Sequence, residues 1–205
     1  ANLTDLPTPT NGAVRGFDSG PGNMLLDLWA NQHLGADCDR DGRLASTGAV
    51  IPDLLERMLD DDYFDRPPPK STGRERFNAK WLAAKQDRAH HHAGHAGHSA
   101  ADVQATLAEL TAHTIAGAIK RCCPGAEDVF ACGGGVHNTD LMRRLQAGLG
   151  VRRLATTDAL GIPADWVEAM AFAWLARQAL NRSAGNLPEV TGARGPRVLG
   201  AVYPA

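Results

Sequence analysis

Asp128-Val129-Phe130-Ala131-Cys132-Gly133-Gly134-Gly135-Val136-His137-Asn138 is the stretch on which the fold turns. Asp128–Cys132 reads as a buried strand that enters three consecutive glycines, and Asn138 then caps a helix bearing Leu141, Met142, Leu145 and Leu149. Val151–Thr156 is the next strand. Asp165 opens a helix through Ala179 that is apolar nearly all round, which predicts a core helix, and Val198–Tyr203 reads as a closing strand. Strands alternating with helices beyond residue 128 predict an α/β domain. Upstream, Ser99 and Asp102 form a capping pair for a long helix with Val103, Leu107, Leu110, Thr114, Ala118 and Ile119 on one face.

Near the start, Asn2–Leu6 and Ala13–Phe17 are short strands separated by Pro7-Thr8-Pro9-Thr10-Asn11-Gly12, turn chemistry that predicts an antiparallel hairpin. The second strand runs into Gly16-Phe17-Asp18-Ser19-Gly20-Pro21-Gly22-Asn23, after which Met24, Leu25, Leu28 and Trp29 recur at helical spacing. Ile51–Leu59 is another helical stretch, and Pro67-Pro68-Pro69 a stiff spacer. Thr72-Gly73-Arg74-Glu75 has capping-box spacing and predicts a helix through Phe77, Trp81 and Leu82.

Of 205 residues, 43% are hydrophobic and 21% charged, ordinary values for a globular chain. Lys+Arg of 21 against Asp+Glu of 23 argues against nucleic acid as the main partner, since such proteins carry a basic excess. The longest uncharged apolar run, Ala169–Ala176, is far short of the ~20 residues of a membrane span. No secretion signal opens the chain, and Cys38, Cys122, Cys123 and Cys132 lack C-x-x-C spacing, so a reduced, cytoplasmic protein is expected. The chain opens at Ala1 without an initiator Met, in what reads as a strand already under way; a missing N-terminal part is expected.

Several stretches carry chemistry, each beside a plainer reading. Gly133–Gly135 between strand and helix lets a ligand approach backbone and helix N-terminus, with a nucleotide as the natural guest; a tight turn without ligand is the alternative. Neither G-x-G-x-x-G nor a Walker phosphate loop is present. Asp18, ringed by Gly16, Gly20 and Gly22, suits a general base, or else an Asx-turn that holds its loop. Asn23 meets a ligand or caps a helix, and Glu168 faces a cleft or completes a cap with Asp165. Asp37, Asp39, Asp41 and Gly42 match the start of a calcium loop, but Gly48 replaces the bidentate Glu, which favours a solvated acidic turn. His90, His91, His92, His95 and His98 lie in an Ala/Gly/His tract without carboxylate or Cys, favouring adventitious metal affinity over a built site. Lys70-Ser71-Thr72-Gly73-Arg74 suits a phosphate, although the capping box accounts for it more simply. His33, His113 and His137 read as structural.

Taken together, these segments resemble one family, the anhydro-N-acetylmuramic acid kinases. The resemblance is carried by Gly16–Asp27, Pro68–Glu75, Asp102–Leu107, Cys132–Asn138, Glu168–Ala176 and Thr191-Gly192-Ala193, in that order along nearly the whole chain. The histidine tract falls outside it. It implies an α/β fold of the actin-like ATPase and sugar kinase superfamily, with two ribonuclease H-like lobes enclosing ATP and sugar. Residues 1–100 would then be the tail of the first, sugar-side lobe, and 101–205 the second, nucleotide-side lobe. The implied reaction is ATP-dependent phosphorylation of 1,6-anhydro-N-acetylmuramic acid with opening of the anhydro ring, giving N-acetylmuramic acid 6-phosphate in peptidoglycan recycling. The resemblance makes Asp18 the general base and places Gly20, Asn23 and Glu168 against the sugar. Gly133, Gly134, Gly135 and Asn138 would contact the nucleotide, with ATP and Mg²⁺ as cofactors and a homodimer as the usual assembly. The family's N-terminal phosphate loop has no counterpart here, so the 205-residue chain alone is expected to be inactive. A non-catalytic nucleotide-binding module of the same superfamily is the alternative.

Overall fold

Ser99 Oγ accepts the Asp102 N–H, and the Asp102 carboxylate accepts the Ser99 N–H in return. This capping box starts α5 (Ala100–Cys122), about 34 Å of helix at 1.5 Å per residue, as the sequence predicts. The computed structural model describes residues 1–7, 12–90 and 98–203. The expected face of α5 is buried, but so are Ala105, Ala108, Ala112 and Ala116 on its other sides. Alanines permit close helix contact, and α6 (Thr139–Leu149) uses it: a methyl group on Gly148 would stand 3.0 Å from Ala116 Cβ. Leu141, Leu145 and Leu149, spaced by four, bury against the same helix.

Around α5 lie α1 (Met24–Leu34), α2 (Arg43–Thr47) and α3 (Pro52–Leu59), with α4 (Ala79–His90) against α1 and α3. Polar anchors fix them to it. The Trp29 indole N–H donates to the Ala100 carbonyl at 2.9 Å, and the Ile51 N–H donates to Thr106 Oγ1 at 2.9 Å.

Two small sheets complete the mixed α/β architecture. Strands β1 (Asn2–Asp5) and β2 (Arg15–Asp18) pair antiparallel, with Asn2 opposite Asp18 and Leu3 opposite Phe17. The hairpin expectation holds; its turn, residues 8–11, lies outside the described residues. Strands β3 (Asp128–Ala131) and β4 (Arg153–Thr156) pair parallel with α6 as their crossover. Strand β3 is half-buried rather than buried, because its sheet has only one further strand.

Three expectations are corrected. Val198–Tyr203 forms no strand. The helix after Asp165 begins as a 3₁₀ turn, Ala164–Trp166, and continues as α7 (Val167–Leu180), but it is not a core helix. Met170, Phe172, Trp174 and Leu180 are all about half exposed or more, since among the described residues α7 packs on one side only, Leu175 facing Gly185 and Ala179 facing Gly200. Apolar composition on every face states a need for partners; it does not supply them. The third concerns Thr72. Its hydroxyl has no hydrogen-bond partner among the described residues, while the Glu75 carboxylate accepts the Gly73 N–H at 2.7 Å and makes a turn. Asn78 is the residue that caps α4, its Oδ1 accepting the Trp81 N–H at 3.1 Å.

Candidate active site

Asp18 ends β2, and the partners of its carboxylate come from distant parts of the chain. Oδ2 accepts the Ser71 hydroxyl at 2.9 Å and the Thr72 N–H at 3.0 Å, while Oδ1 has the longer Asn2 amide contact at 3.3 Å. An Asx-turn would use N–H groups just downstream of Asp18, so that local reading does not describe this residue. Backbone bonds fix the same corner: the Asp18 N–H donates to the Lys70 carbonyl at 3.0 Å, and the Tyr63 hydroxyl donates to the Asp18 carbonyl at 2.8 Å. The Lys70–Thr72 segment is therefore drawn to Asp18 by hydrogen bonding, which the capping-box reading of Thr72 could not anticipate.

Beneath this corner is an aromatic platform. Tyr63 and Phe77 are essentially fully buried, their rings meet edge-to-face at 5.6 Å, and Phe64 stacks on Phe77 at 5.6 Å. Burial, helped by the Asp18 charge, pushes the Tyr63 phenol up to about 12, so it is a neutral donor at physiological pH. The Lys70 ammonium sits 4.7 Å from the Tyr63 ring centre and donates to the Tyr63 and Phe64 carbonyls at 3.0 and 3.2 Å.

The platform is tied to α4 by Asp61. Its carboxylate accepts the Trp81 indole N–H at 2.7 Å, the Arg76 Nε–H at 3.1 Å and the Tyr63 N–H at 3.1 Å. Burial alone would raise this carboxyl, but the Trp81 and Arg76 hydrogen bonds outweigh it and hold it below its ordinary value of 3.8. A depressed folded-state value means stability present above pH ~4 and lost as pH falls through the depressed value. Asp61→Asn is expected to lower the midpoint of urea unfolding at pH 7 and to flatten its decline below pH 4. An unchanged acid limb would place the acid-sensitive group elsewhere.

Beyond Asp18 the loop turns toward the glycines. Ser19 and Gly20 are buried, and a methyl group on Gly20 would stand 3.0 Å from Phe64 and 3.2 Å from Thr114 Oγ1, so a larger residue there would press on both neighbours. Asn23 makes no side-chain cap for α1. Its amide instead faces the triple-glycine loop, where a methyl group on Gly135 would stand 3.1 Å from Asn23 Oδ1. The Asn23 side chain thus brings the Asp18 loop against the glycine loop.

Gly133 has φ 79° and ψ 178°, a conformation reserved for glycine, and its N–H donates to the Ala164 carbonyl at 2.9 Å. Gly134 is exposed, and a Cβ there would meet no atom within 4 Å. Among the described residues no packing reason makes it glycine, and the space above it is open to a ligand. Asn138 Oδ1 accepts the Leu141 N–H at 2.9 Å, so its cap holds the N-terminus of α6 behind the loop. His137 Nε2 reaches the Asp165 carboxylate at 2.9 Å, a pairing across this edge that the separation in sequence gave no sign of. Glu168 is exposed in the first turn of α7, a few residues beyond Ala164, and the Asp165 cap expected to involve it does not form. Tyr63, too, carried no signal in the sequence, because its role depends on which segments meet.

The remaining candidates are structural or lie elsewhere. Asp39 is buried and caps α2, its two oxygens accepting the Leu44 and Ala45 N–H groups at 2.8 and 3.0 Å. At Gly48, where a calcium loop needs Glu, a Cβ would collide with the Ala101 carbonyl. Residues 91–97 of the histidine tract lie outside the described residues. Among the described residues no group of three His, Cys, Asp or Glu side chains could hold a metal ion. The four cysteines are free thiols, and no helix among the described residues is long and apolar enough to cross a membrane.

Comparison with known proteins converges on one name. Residues 1–205 match the family model described as anhydro-N-acetylmuramic acid kinase. A protein so named from Nitrosomonas europaea is 51% identical over 206 residues, covering 100% of this chain and 53% of the relative. Another from Pseudomonas paraeruginosa is 54% identical over 192 residues, covering 94% of this chain and 51% of the relative. The chain spans about half the length of the curated relatives it matches. Across that span it belongs to the anhydro-N-acetylmuramic acid kinase family.

Proposed function

We propose that the full-length protein uses ATP to phosphorylate 1,6-anhydro-N-acetylmuramic acid while water opens the anhydro ring, giving N-acetylmuramic acid 6-phosphate. The observation that carries this reading is the Asp18 carboxylate, fixed on a buried platform beside a glycine loop with open approach. In the reaction, Asp18 takes a proton from the water that attacks the anomeric carbon. The bond from that carbon to the bridging oxygen breaks, and this oxygen, now the sugar's 6-oxygen, receives the γ-phosphoryl group, leaving ADP. Asn23 and Glu168 are assigned to the sugar, Gly133–Gly135 to the nucleotide, and Asn138 to holding the helix N-terminus toward it.

Mg²⁺ would neutralise charge on the transferred phosphoryl group. It would keep most of its waters and need few protein ligands. The wider reading is a ribonuclease H-like architecture, with residues 1–100 on the sugar side and 101–205 on the nucleotide side, a homodimer, and a cytoplasmic role in peptidoglycan recycling. A nucleotide-binding module without chemistry would leave Asp18 the task of holding its loop, which Asp18→Asn tests below.

The direct test is to incubate the full-length protein with ATP, Mg²⁺ and 1,6-anhydro-N-acetylmuramic acid. Mass spectrometry should detect the 6-phosphate and ADP in equal amounts; ADP-binding protein that forms no phosphosugar would favour the non-catalytic module. The nucleotide assignment is tested by Gly134→Val. A Cβ at this position meets no atom within 4 Å, so the fold should be little affected while ATP affinity in calorimetry drops at least tenfold, about 1.4 kcal/mol. Unchanged affinity with intact circular dichroism would move the nucleotide off this loop.

A further inference from the structure

Ser71 is far in sequence from the glycines of the nucleotide loop, and its exposed hydroxyl donates to Asp18 Oδ2 at 2.9 Å. The Thr72 N–H donates to the same oxygen at 3.0 Å. Two donors on Oδ2 leave Oδ1 the less engaged oxygen, with only the 3.3 Å Asn2 contact among the described residues. A carboxylate held by one oxygen is restrained in rotation about its Cβ–Cγ bond, and the other oxygen points in a defined direction.

The segment that delivers these donors is itself anchored. The Lys70 carbonyl accepts the Asp18 N–H, the Lys70 ammonium is bound to the Tyr63 and Phe64 carbonyls, and the Tyr63 hydroxyl returns to the Asp18 carbonyl. Asp18, Lys70 and Tyr63 thus form a closed ring of bonds, and Ser71 projects from it onto the carboxylate. The Thr72 hydroxyl takes no part, since it has no partner among the described residues. Ser71 is therefore the side chain in this segment whose chemistry bears on Asp18.

We propose that Ser71 is a positioning residue for the reaction, holding Asp18 Oδ2 so that Oδ1 is presented to the attacking water. This inference rests on the reading of Asp18 as the general base. A base displaced by a fraction of an ångström from its proton loses rate while ground-state binding of sugar and ATP is little altered. The role belongs to the hydroxyl, so threonine should replace serine at this exposed position.

The test compares Ser71→Ala, Ser71→Thr and Asp18→Asn in the full-length enzyme. Ser71→Ala is expected to lower kcat about tenfold, with KM for both substrates within about twofold and thermal stability unchanged. Ser71→Thr is expected to recover kcat to within about threefold of wild type. If Asp18→Asn abolishes turnover but Ser71→Ala keeps more than half of kcat, the positioning role is overturned and the base survives. A rise in the sugar KM at constant kcat would make Ser71 a substrate contact instead, and a parallel loss of stability and both constants would make it structural; either overturns the proposal. If Asp18→Asn retains more than a tenth of kcat, the reading of the base fails and this inference fails with it.

Discussion

Asp18→Asn in the full-length enzyme is expected to lower kcat by a factor on the order of 10² to 10⁴, with ATP affinity nearly unchanged. The substitution keeps the size of the side chain, and the Asn oxygen can still accept from Ser71 and the Thr72 N–H. The Asp18 backbone bonds to Lys70 and Tyr63 do not involve the side chain at all, so the corner should remain folded. What would be lost is the basic carboxylate oxygen proposed to take the water proton as the anomeric carbon–oxygen bond forms. The nucleotide contacts proposed for the glycine loop, across Asn23, would not depend on that charge. Retention of more than about a tenth of wild-type kcat would make Asp18 a residue that only holds its loop, with the base elsewhere. Single-turnover measurement of phosphosugar formation separates this from slow product release.

Phe77→Ala is expected to destabilise the fold by about 3–5 kcal/mol, read from urea unfolding. Phe77 is fully buried, meets Tyr63 and Trp81 edge-to-face at 5.6 and 5.1 Å, and stacks on Phe64. Alanine removes the ring that three other rings rest on, and a cavity between aromatic planes closes poorly because flat rings cannot bend into it. Phe77→Leu keeps most of the volume and should cost about half as much or less. The loss should reach the site, since Tyr63, which bonds the Asp18 carbonyl, depends on Phe77 for its position. A cost below about 1 kcal/mol for the alanine variant would mean that the platform does not support the Asp18 corner.

The legible parts of this fold are those governed by short-range chemistry. The Ser99–Asp102 box, the Asn138 cap and the leucine row of α6 all follow from residues within a turn or two of one another. The Gly133–Gly135 loop is also legible as a break between strand and helix, where glycines permit a backbone that other residues avoid. Thr72 marks where local reasoning went astray. Its spacing to Glu75 suits a capping box, yet its N–H is taken by Asp18, which lies far away in sequence. Likewise residue type alone leaves Asn23 open between a ligand contact and a helix cap, and places Asp39 in a solvated acidic turn. In the structure the first faces Gly135 and the second caps α2.

The sequence by itself determined most of the element types, though not at Val198–Tyr203, together with the glycine loop, Asp18 as the residue of interest, and membership of the family through the order of its motifs. Only the tertiary structure decided that Ser71, Thr72 and Tyr63 converge on Asp18, that Asn23 joins its loop to the glycines, and that α7 keeps its apolar side chains exposed. The reason is physical. Periodicity and capping depend on neighbours a few residues apart, whereas the partner of a carboxylate or an apolar face is whichever distant segment the packing brings within reach.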